Sequence, residues 1–138
     1  WGLVNPWLTG RGYHAAGKIS FGMPFSFILL ALIIIAGSAM DIWAGAAWAL
    51  YCMGCTGISL AHPAVALAFP ATLAGRALSA YNLLIFSGVF VVQWGIGLMM
   101  DGFQALGWSP VQAFQGAMGV YLLCTVLSYV YFLTAKKS

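Results

Sequence analysis

Long stretches of the chain carry no charged side chain, and apolar residues fill them without regular alternation. The uncharged stretches are residues 19–40, 42–75, 77–100 and 102–135, with 22, 34, 24 and 34 residues. A transmembrane helix needs about 20 residues to cross the hydrocarbon core. Strands would alternate in polarity, whereas residues 27–35 are apolar throughout. The pattern predicts an all-α integral membrane protein with four transmembrane helices, over residues 20–40, 44–69, 78–100 and 111–134.

Signals at the ends of these stretches agree with the predicted helices. Pro24 is expected in the first turn of the first helix, and Pro70 is expected to end the second. Ser109 and Pro110 resemble an N-cap followed by proline at the first helical position. Residues 1–8 resemble the tail of an earlier apolar segment. We therefore divide the chain into residues 1–19, the end of a preceding helix and a cytoplasmic loop, and residues 20–138, the membrane segment.

Composition and charge exclude two other classes of protein. Hydrophobic residues make up 63% of the chain and charged residues 5%, against about 25% charged in soluble domains, so a water-soluble globule is excluded. The basic residues form no patch, which argues against a nucleic-acid partner. Four crossings place every basic residue on one side and both acidic residues on the other: Arg11, Lys18, Arg76, Lys136 and Lys137 against Asp41 and Asp101. Because basic loops stay cytoplasmic, the C-terminus is predicted to be cytoplasmic.

One stretch has the form of a known loop motif. Residues 69–82 have the sequence Phe-Pro-Ala-Thr-Leu-Ala-Gly-Arg-Ala-Leu-Ser-Ala-Tyr-Asn, and residues 97–101 have the sequence Gly-Leu-Met-Met-Asp. This resembles the major facilitator superfamily, in which a cytoplasmic loop with proline, a spacer and Gly-Arg-Ala joins the tenth and eleventh helices. The loop residues that match are Pro70, Gly75 and Arg76.

The resemblance implies a place for the chain in a larger protein. The chain would be the C-terminal part of a twelve-helix transporter, from the end of the eighth helix through the twelfth, without the N-terminal part. It would be a fragment of a secondary active transporter that moves a small solute across the inner membrane of a cell by alternating access. Its partners would be the lipid bilayer, the missing N-terminal part and a small-molecule substrate. The alternative is a non-transporting four-helix membrane subunit or sensor module.

One face of the second predicted span carries the candidate solute-binding residues. They recur at spacings of three and four: Trp48, Tyr51, Cys52, Cys55, Ser59 and His62. Pro63 lacks an N–H and leaves the carbonyl of Ser59 without its helical partner. His62 is expected either to contact substrate or a proton, or to act only as a hydrogen-bonding neighbour of a hinge at Pro63. The resemblance implies that this span, as the tenth helix, lines the central cavity.

The remaining candidates concern packing rather than chemistry. Asn82 and Gln93 are eleven residues apart on one face and are predicted to make interhelical polar contacts. The first span is apolar on every face and is expected to face lipid. Cys52 and Cys55 form a Cys-x-x-Cys in an apolar helix, but the βαβ context of a redox motif and the spacing of a metal site are absent, so they are predicted to be free thiols. We therefore expect no enzyme activity, no catalytic residue, no metal and no cofactor.

Overall fold

The computed structural model describes residues 10–12, 15–37, 42–56, 59 and 61–135. These residues contain five α-helices and no strand, so the all-helical prediction is confirmed for them. The helices, numbered in chain order, are α1 Ala15–Ala36, α2 Ala44–Cys55, α3 Ala61–Leu67, α4 Ala71–Ala105 and α5 Pro110–Ala135. The predicted helix end at residues 1–8 lies outside the described residues. So do four of the charged side chains that predict the topology, Lys18, Asp41, Lys136 and Lys137.

Two of these helices, α4 and α5, are long and apolar enough to cross a membrane. The most apolar window of α4 is 0% buried within the protein and that of α5 is 11% buried, whereas a core helix of a soluble protein is mostly buried. Their exposed apolar surfaces suggest a membrane location. Within the described residues, two helices are therefore long and apolar enough to cross a membrane, whereas four were predicted. The other apolar helical stretches, Gly22–Ala36 and Ala44–Cys55, are shorter than a membrane-spanning helix.

The predicted second span, residues 44–69, is not one helix. Helix α2 ends at Cys55, and α3 begins at Ala61. Proline has no N–H and its ring collides with the carbonyl four residues earlier, so a helix accepts proline readily in its first turn, whereas an interior proline kinks or breaks it. With α3 starting at Ala61, Pro63 falls in that first turn. The prediction of a continuous helix here is therefore wrong.

The other predicted spans differ from the structure mainly at their ends. Helix α1 begins at Ala15 rather than at residue 20, so Pro24 lies in its interior and not in its first turn. Helix α4 begins at Ala71, so Gly75 and Arg76 are helical and the predicted loop at these two residues is wrong. Alanine, leucine and arginine dominate residues 71–78, and these good helix formers outweigh one glycine. Helix α5 matches the predicted span to within one residue at each end.

Helices α1 and α5 hold the buried core. Among the described residues, the buried side chains are Ser26, Leu30 and Ile33 of α1 and Ala113, Ala117 and Met118 of α5. Helix α1 packs against α2 and α5, while α4 packs against α5 and α3. The first span was expected to face largely lipid, and the structure shows that one side of it packs against neighbouring helices. Small residues permit close helix approach: Ala113 and Ala117 lie one turn apart on α5, and Ser26 of α1 lies against Gly54 of α2.

A fully hydrogen-bonded turn connects α4 to α5. Gly107 has φ +89°, its N–H bonds to the carbonyl of Gln104, and the N–H of Trp108 bonds to the carbonyl of Phe103. This is a Schellman motif, and the Phe103 and Trp108 rings stack 4.7 Å apart across it. The sequence prediction of an N-cap at Ser109 is confirmed: its hydroxyl accepts from the Gln112 N–H, and the Gln112 side chain accepts from the Ser109 N–H.

A hydrogen bond from α5 reaches the carbonyl in α1 that lies four residues before the interior proline. Pro24 has no N–H to donate to the carbonyl of Ser20, four residues earlier. The hydroxyl of Tyr129 on α5 donates to that carbonyl at 2.6 Å. The Tyr129 ring also packs edge-on against Phe27, with ring centroids 5.4 Å apart. A side chain of α5 thus replaces the backbone bond that the proline removes.

Candidate functional site

The polar face predicted for residues 48–62 is divided between two helices. On α2, Trp48 packs edge-on against Tyr51 with ring centroids 5.7 Å apart. The Tyr51 hydroxyl donates to the hydroxyl of Tyr121 on α5 at 3.4 Å. Cys52 is exposed, and Cys55 is half-buried. These α2 residues face α5 or the surface and do not join His62.

His62 lies at the start of α3 and contacts two polar groups. Its Nδ1 is 3.2 Å from the carbonyl oxygen of Ser59, which precedes α3. Its Nε2 is 3.1 Å from Oδ1 of Asn82 on α4. The structure thus brings together three predicted site residues, Ser59, His62 and Asn82. It also shows that the side chain of His62 lies against the carbonyl of Ser59, a residue that precedes α3.

The ring of Tyr81 connects His62 with a cavity. Tyr81 packs edge-on against the imidazole, with ring centroids 5.1 Å apart at an angle of 81°. It also lines a cavity of about 480 Å³ between α1, α3, α4 and α5. Ala61, the neighbour of His62 in the chain, lines the same cavity. Among the described residues, no charged side chain is part of its wall.

One face of α5 supplies most of the cavity wall, and the sequence analysis missed it. The residues are Tyr121, Cys124, Thr125, Ser128, Tyr129 and Phe132. They recur at spacings of three and four and so lie on one side of the helix. This spacing was a signal available in the sequence.

The other predicted site residues lie apart from His62. Gln93 is exposed on α4 and makes no side-chain hydrogen bond within the described residues. Pro70 is the N-cap of α4, where its carbonyl accepts from the N–H groups of Leu73 and Ala74. Gly75 and Arg76 are exposed in the first two turns of that helix. The motif that resembles a cytoplasmic loop is thus a helix start, with Arg76 on its surface.

The described cysteines carry no cross-link. Cys52, Cys55 and Cys124 are free thiols. Within the described ranges, no three histidine, cysteine or acidic side chains gather as metal ligands. Cys124 lines the cavity, while Cys52 and Cys55 do not. The polar groups that line the cavity in the described residues are therefore hydroxyl groups and the thiol of Cys124. The imidazole of His62 lies behind the ring of Tyr81.

Comparisons with known proteins add nothing to this description of the site. Protein-family models, curated proteins and solved structures were all compared with the chain, and no match was found. Any functional conclusion therefore depends on the residues themselves and on the contacts described above.

Proposed function

We propose that the chain is part of a secondary active transporter, and that it moves a small solute across the inner membrane together with a missing N-terminal part. The observation that carries this proposal is the His62–Asn82 pair, which lies at a break between helices and beside a cavity. Discontinuous helices of membrane transporters form solute and ion sites in this way. An ionisable side chain among apolar helices is costly and is retained mainly for function.

The size and lining of the cavity support a small solute as the cargo. Its volume of about 480 Å³ lies within the range of about 300–1,000 Å³ typical of small-molecule sites. Aromatic rings and aliphatic side chains form most of the wall, with hydroxyl groups from Thr125 and Ser128. A solute with an apolar body and an uncharged hydrogen-bonding group matches this surface.

The proposed transporter has four crossings in this chain, as in the last four helices of a major facilitator fold. Helices α4 and α5 supply two of them. Helix α1, with 22 residues, is about 33 Å long and matches a hydrocarbon core of about 30 Å. Helices α2 and α3 form the fourth crossing as a broken helix, which a membrane tolerates where protein or a water-filled cavity covers the break. The positive-inside rule orients the C-terminus toward the cytoplasm.

Transport by the full-length protein in proteoliposomes tests this function. We expect uptake of a small solute by the wild type with a proton gradient, and at least tenfold slower uptake by His62→Ala at equal reconstitution. Gln104→Ala, an exposed change near the far end of α4, is the matched control and should transport normally. If no solute from a panel of sugars, organic anions and drugs is moved, the non-transporting membrane subunit or sensor module becomes the better description.

A further inference from the structure

The cavity between α1, α3, α4 and α5 has one polar wall. Helix α5 contributes three hydroxyl groups at spacings of three and four residues, from Thr125, Ser128 and Tyr129, so they lie on one side of the helix. The wall residues from α1 and α3 are apolar: Ile19, Met23 and Ala61. A molecule in the cavity therefore meets hydrogen-bonding groups chiefly along α5.

Two of these hydroxyl groups already donate their single proton to the backbone. The Thr125 hydroxyl oxygen lies 2.8 Å from the carbonyl oxygen of Leu122. The Tyr129 hydroxyl oxygen lies 2.6 Å from the carbonyl oxygen of Ser20. A backbone carbonyl can only accept a hydrogen bond, so the oxygen positions alone require that the hydroxyl donates in both pairs. Thr125 and Tyr129 therefore offer lone pairs, and no proton, to a bound molecule.

The hydroxyl of Ser128 is still able to donate. Its side chain is exposed and makes no hydrogen bond within the described residues. A molecule that donates to Thr125 or Tyr129 and accepts from Ser128 therefore uses this wall fully. The hydroxyl of an alcohol or a phenol has both capacities, whereas the oxygen of an ether, a ketone or an ester can only accept.

The rest of the wall favours an uncharged aromatic body. Four aromatic rings line the cavity, from Tyr81, Tyr121, Tyr129 and Phe132. Aromatic rings attract one another in edge-on and offset arrangements. In the part of the chain that the structure describes, no charged side chain lines the cavity, so a charged molecule would lose its hydration without gaining a counter-ion. A neutral aromatic molecule avoids this cost.

We infer that the cavity binds an uncharged phenol or aromatic alcohol, whose hydroxyl donates to Thr125 or Tyr129 and accepts from Ser128. The inference deepens the proposed function by naming the substrate class, and transport of such a molecule rests on that function. Binding itself rests only on the cavity and the hydrogen bonds of its wall. Thr125 determines specificity here, because its oxygen, which can only accept, distinguishes a hydroxyl group from an ether.

Equilibrium dialysis of the full-length protein in lipid nanodiscs tests the ligand class without transport. The probes are para-phenylphenol, its methyl ether and para-phenylbenzoate, and the amount of each that partitions into protein-free nanodiscs is subtracted. We expect saturable binding of the phenol and about tenfold weaker binding of the ether, which has no proton to donate. The carboxylate should also bind more weakly than the phenol. The inference would be overturned by an absence of saturable phenol binding, or by an ether or carboxylate that binds as tightly as the phenol.

Variants of Thr125 test which oxygen recognises the hydroxyl group. Thr125→Val keeps the branched shape and removes the oxygen, so it should weaken binding of the phenol about fivefold and leave binding of the ether unchanged. Thr125→Ser keeps the oxygen and should bind the phenol as the wild type does.

Thr134→Val is the matched control. The Thr134 hydroxyl donates to the carbonyl of Tyr131, three residues earlier on the same helix, as Thr125 does to Leu122, but Thr134 is not part of the cavity wall. It should bind both probes normally. If Thr125→Val weakens binding of the phenol and the ether equally, or no more than Thr134→Val does, the Thr125 oxygen does not recognise the hydroxyl group and the inference is wrong.

The two proposals fail separately. Selective binding of the phenol in nanodiscs, by a full-length protein that moves no solute, would refute transport and leave the ligand class in place. Uptake of a sugar or an organic anion by a protein that does not prefer the phenol to its ether would refute the ligand class and leave transport in place.

Discussion

Gly107 ends the long helix α4 in a conformation that other residues adopt at a cost. Its φ of +89° lies in the left-handed region, where a side chain costs about 1–2 kcal/mol. We predict that Gly107→Ala lowers the free energy of unfolding by about 1 kcal/mol, measured by circular dichroism during denaturation in micelles. The matched control is Gly102→Ala, because Gly102 lies in the same helix with open space around it.

The control also decides what a loss of stability means. An alanine in place of a helical glycine stabilises by about 0.5–1 kcal/mol, so Gly102→Ala should not destabilise the chain. If both substitutions destabilise it equally, the cause is the added methyl group at this end of α4 and not the left-handed backbone of Gly107.

Single residues at turns could be predicted from sequence where their chemistry is local. Ser109 and Pro110 were identified as a helix start because a cap needs only residues within one turn of the chain. The Ser59 carbonyl was expected to lack a helical partner because of Pro63, but α3 begins only at Ala61, so Ser59 lies outside the helix and that argument does not apply. The donor that reaches this carbonyl is the ring of His62, and the rotamer that brings it there depends on packing against Tyr81 and Asn82.

At the scale of helices, the Tyr129 hydroxyl and the interior proline of α1 should be energetically coupled. Tyr129→Phe removes the 2.6 Å bond that the half-buried Ser20 carbonyl receives from α5, and the loss of such a bond costs about 1–2 kcal/mol. In a Pro24→Ala background the new backbone N–H can serve Ser20. We therefore predict that Tyr129→Phe costs at least 1 kcal/mol less there, measured as a double-mutant cycle of unfolding.

Tyr131→Phe is the matched control for this cycle. Tyr131 lies on the same helix, is 76% exposed and makes no side-chain hydrogen bond within the described chain. Its loss of a hydroxyl group should change stability by less than about 0.5 kcal/mol in either background. A cost for Tyr129→Phe that is identical with and without Pro24 would contradict the coupling.

The helices themselves could be predicted better than their ends. Apolar stretches identified α1, α4 and α5, but the span predicted for α4, residues 78–100, did not include the first seven residues of the helix or its last five. Arg76 and Asp101 are charged and yet helical, because a helix of 35 residues is about 52 Å long and extends beyond a core of about 30 Å. Charge therefore marks where a helix leaves lipid, and not where the helix ends.

At the scale of the whole molecule, packing was the least predictable feature. The second half of helix α1 is apolar on every side, so its sequence does not indicate which side is buried; the structure buries Ser26, Leu30 and Ile33. The cavity forms where α1, α3, α4 and α5 meet, and its wall depends on all four at once. The sequence could identify His62 and Asn82 as candidates, because polar groups are rare in these helices. It could not show that they meet, since twenty residues and a helix break separate them.

Labelling of single cysteines tests the membrane topology of α4. The background replaces the three native cysteines with alanine: Cys52, Cys55 and Cys124. Phe90 and Leu106 are similarly exposed, at 68% and 76%, but Phe90 is near the middle of α4 and Leu106 follows its end. We predict that a membrane-impermeant maleimide added to intact cells labels Leu106→Cys and not Phe90→Cys, because lipid excludes the charged reagent from the hydrocarbon core.

Each other labelling pattern has a distinct meaning. In detergent-denatured protein both cysteines should react equally, which shows that the thiols are intact. Labelling of Leu106→Cys only after the cells are opened would reverse the orientation that the positive-inside rule predicts. Equal labelling of both cysteines in native membranes would place the exposed apolar side of α4 in water and contradict the membrane assignment. Protection of Phe90→Cys alone would support α4 as a crossing, with the α4–α5 turn outside and the C-terminus in the cytoplasm.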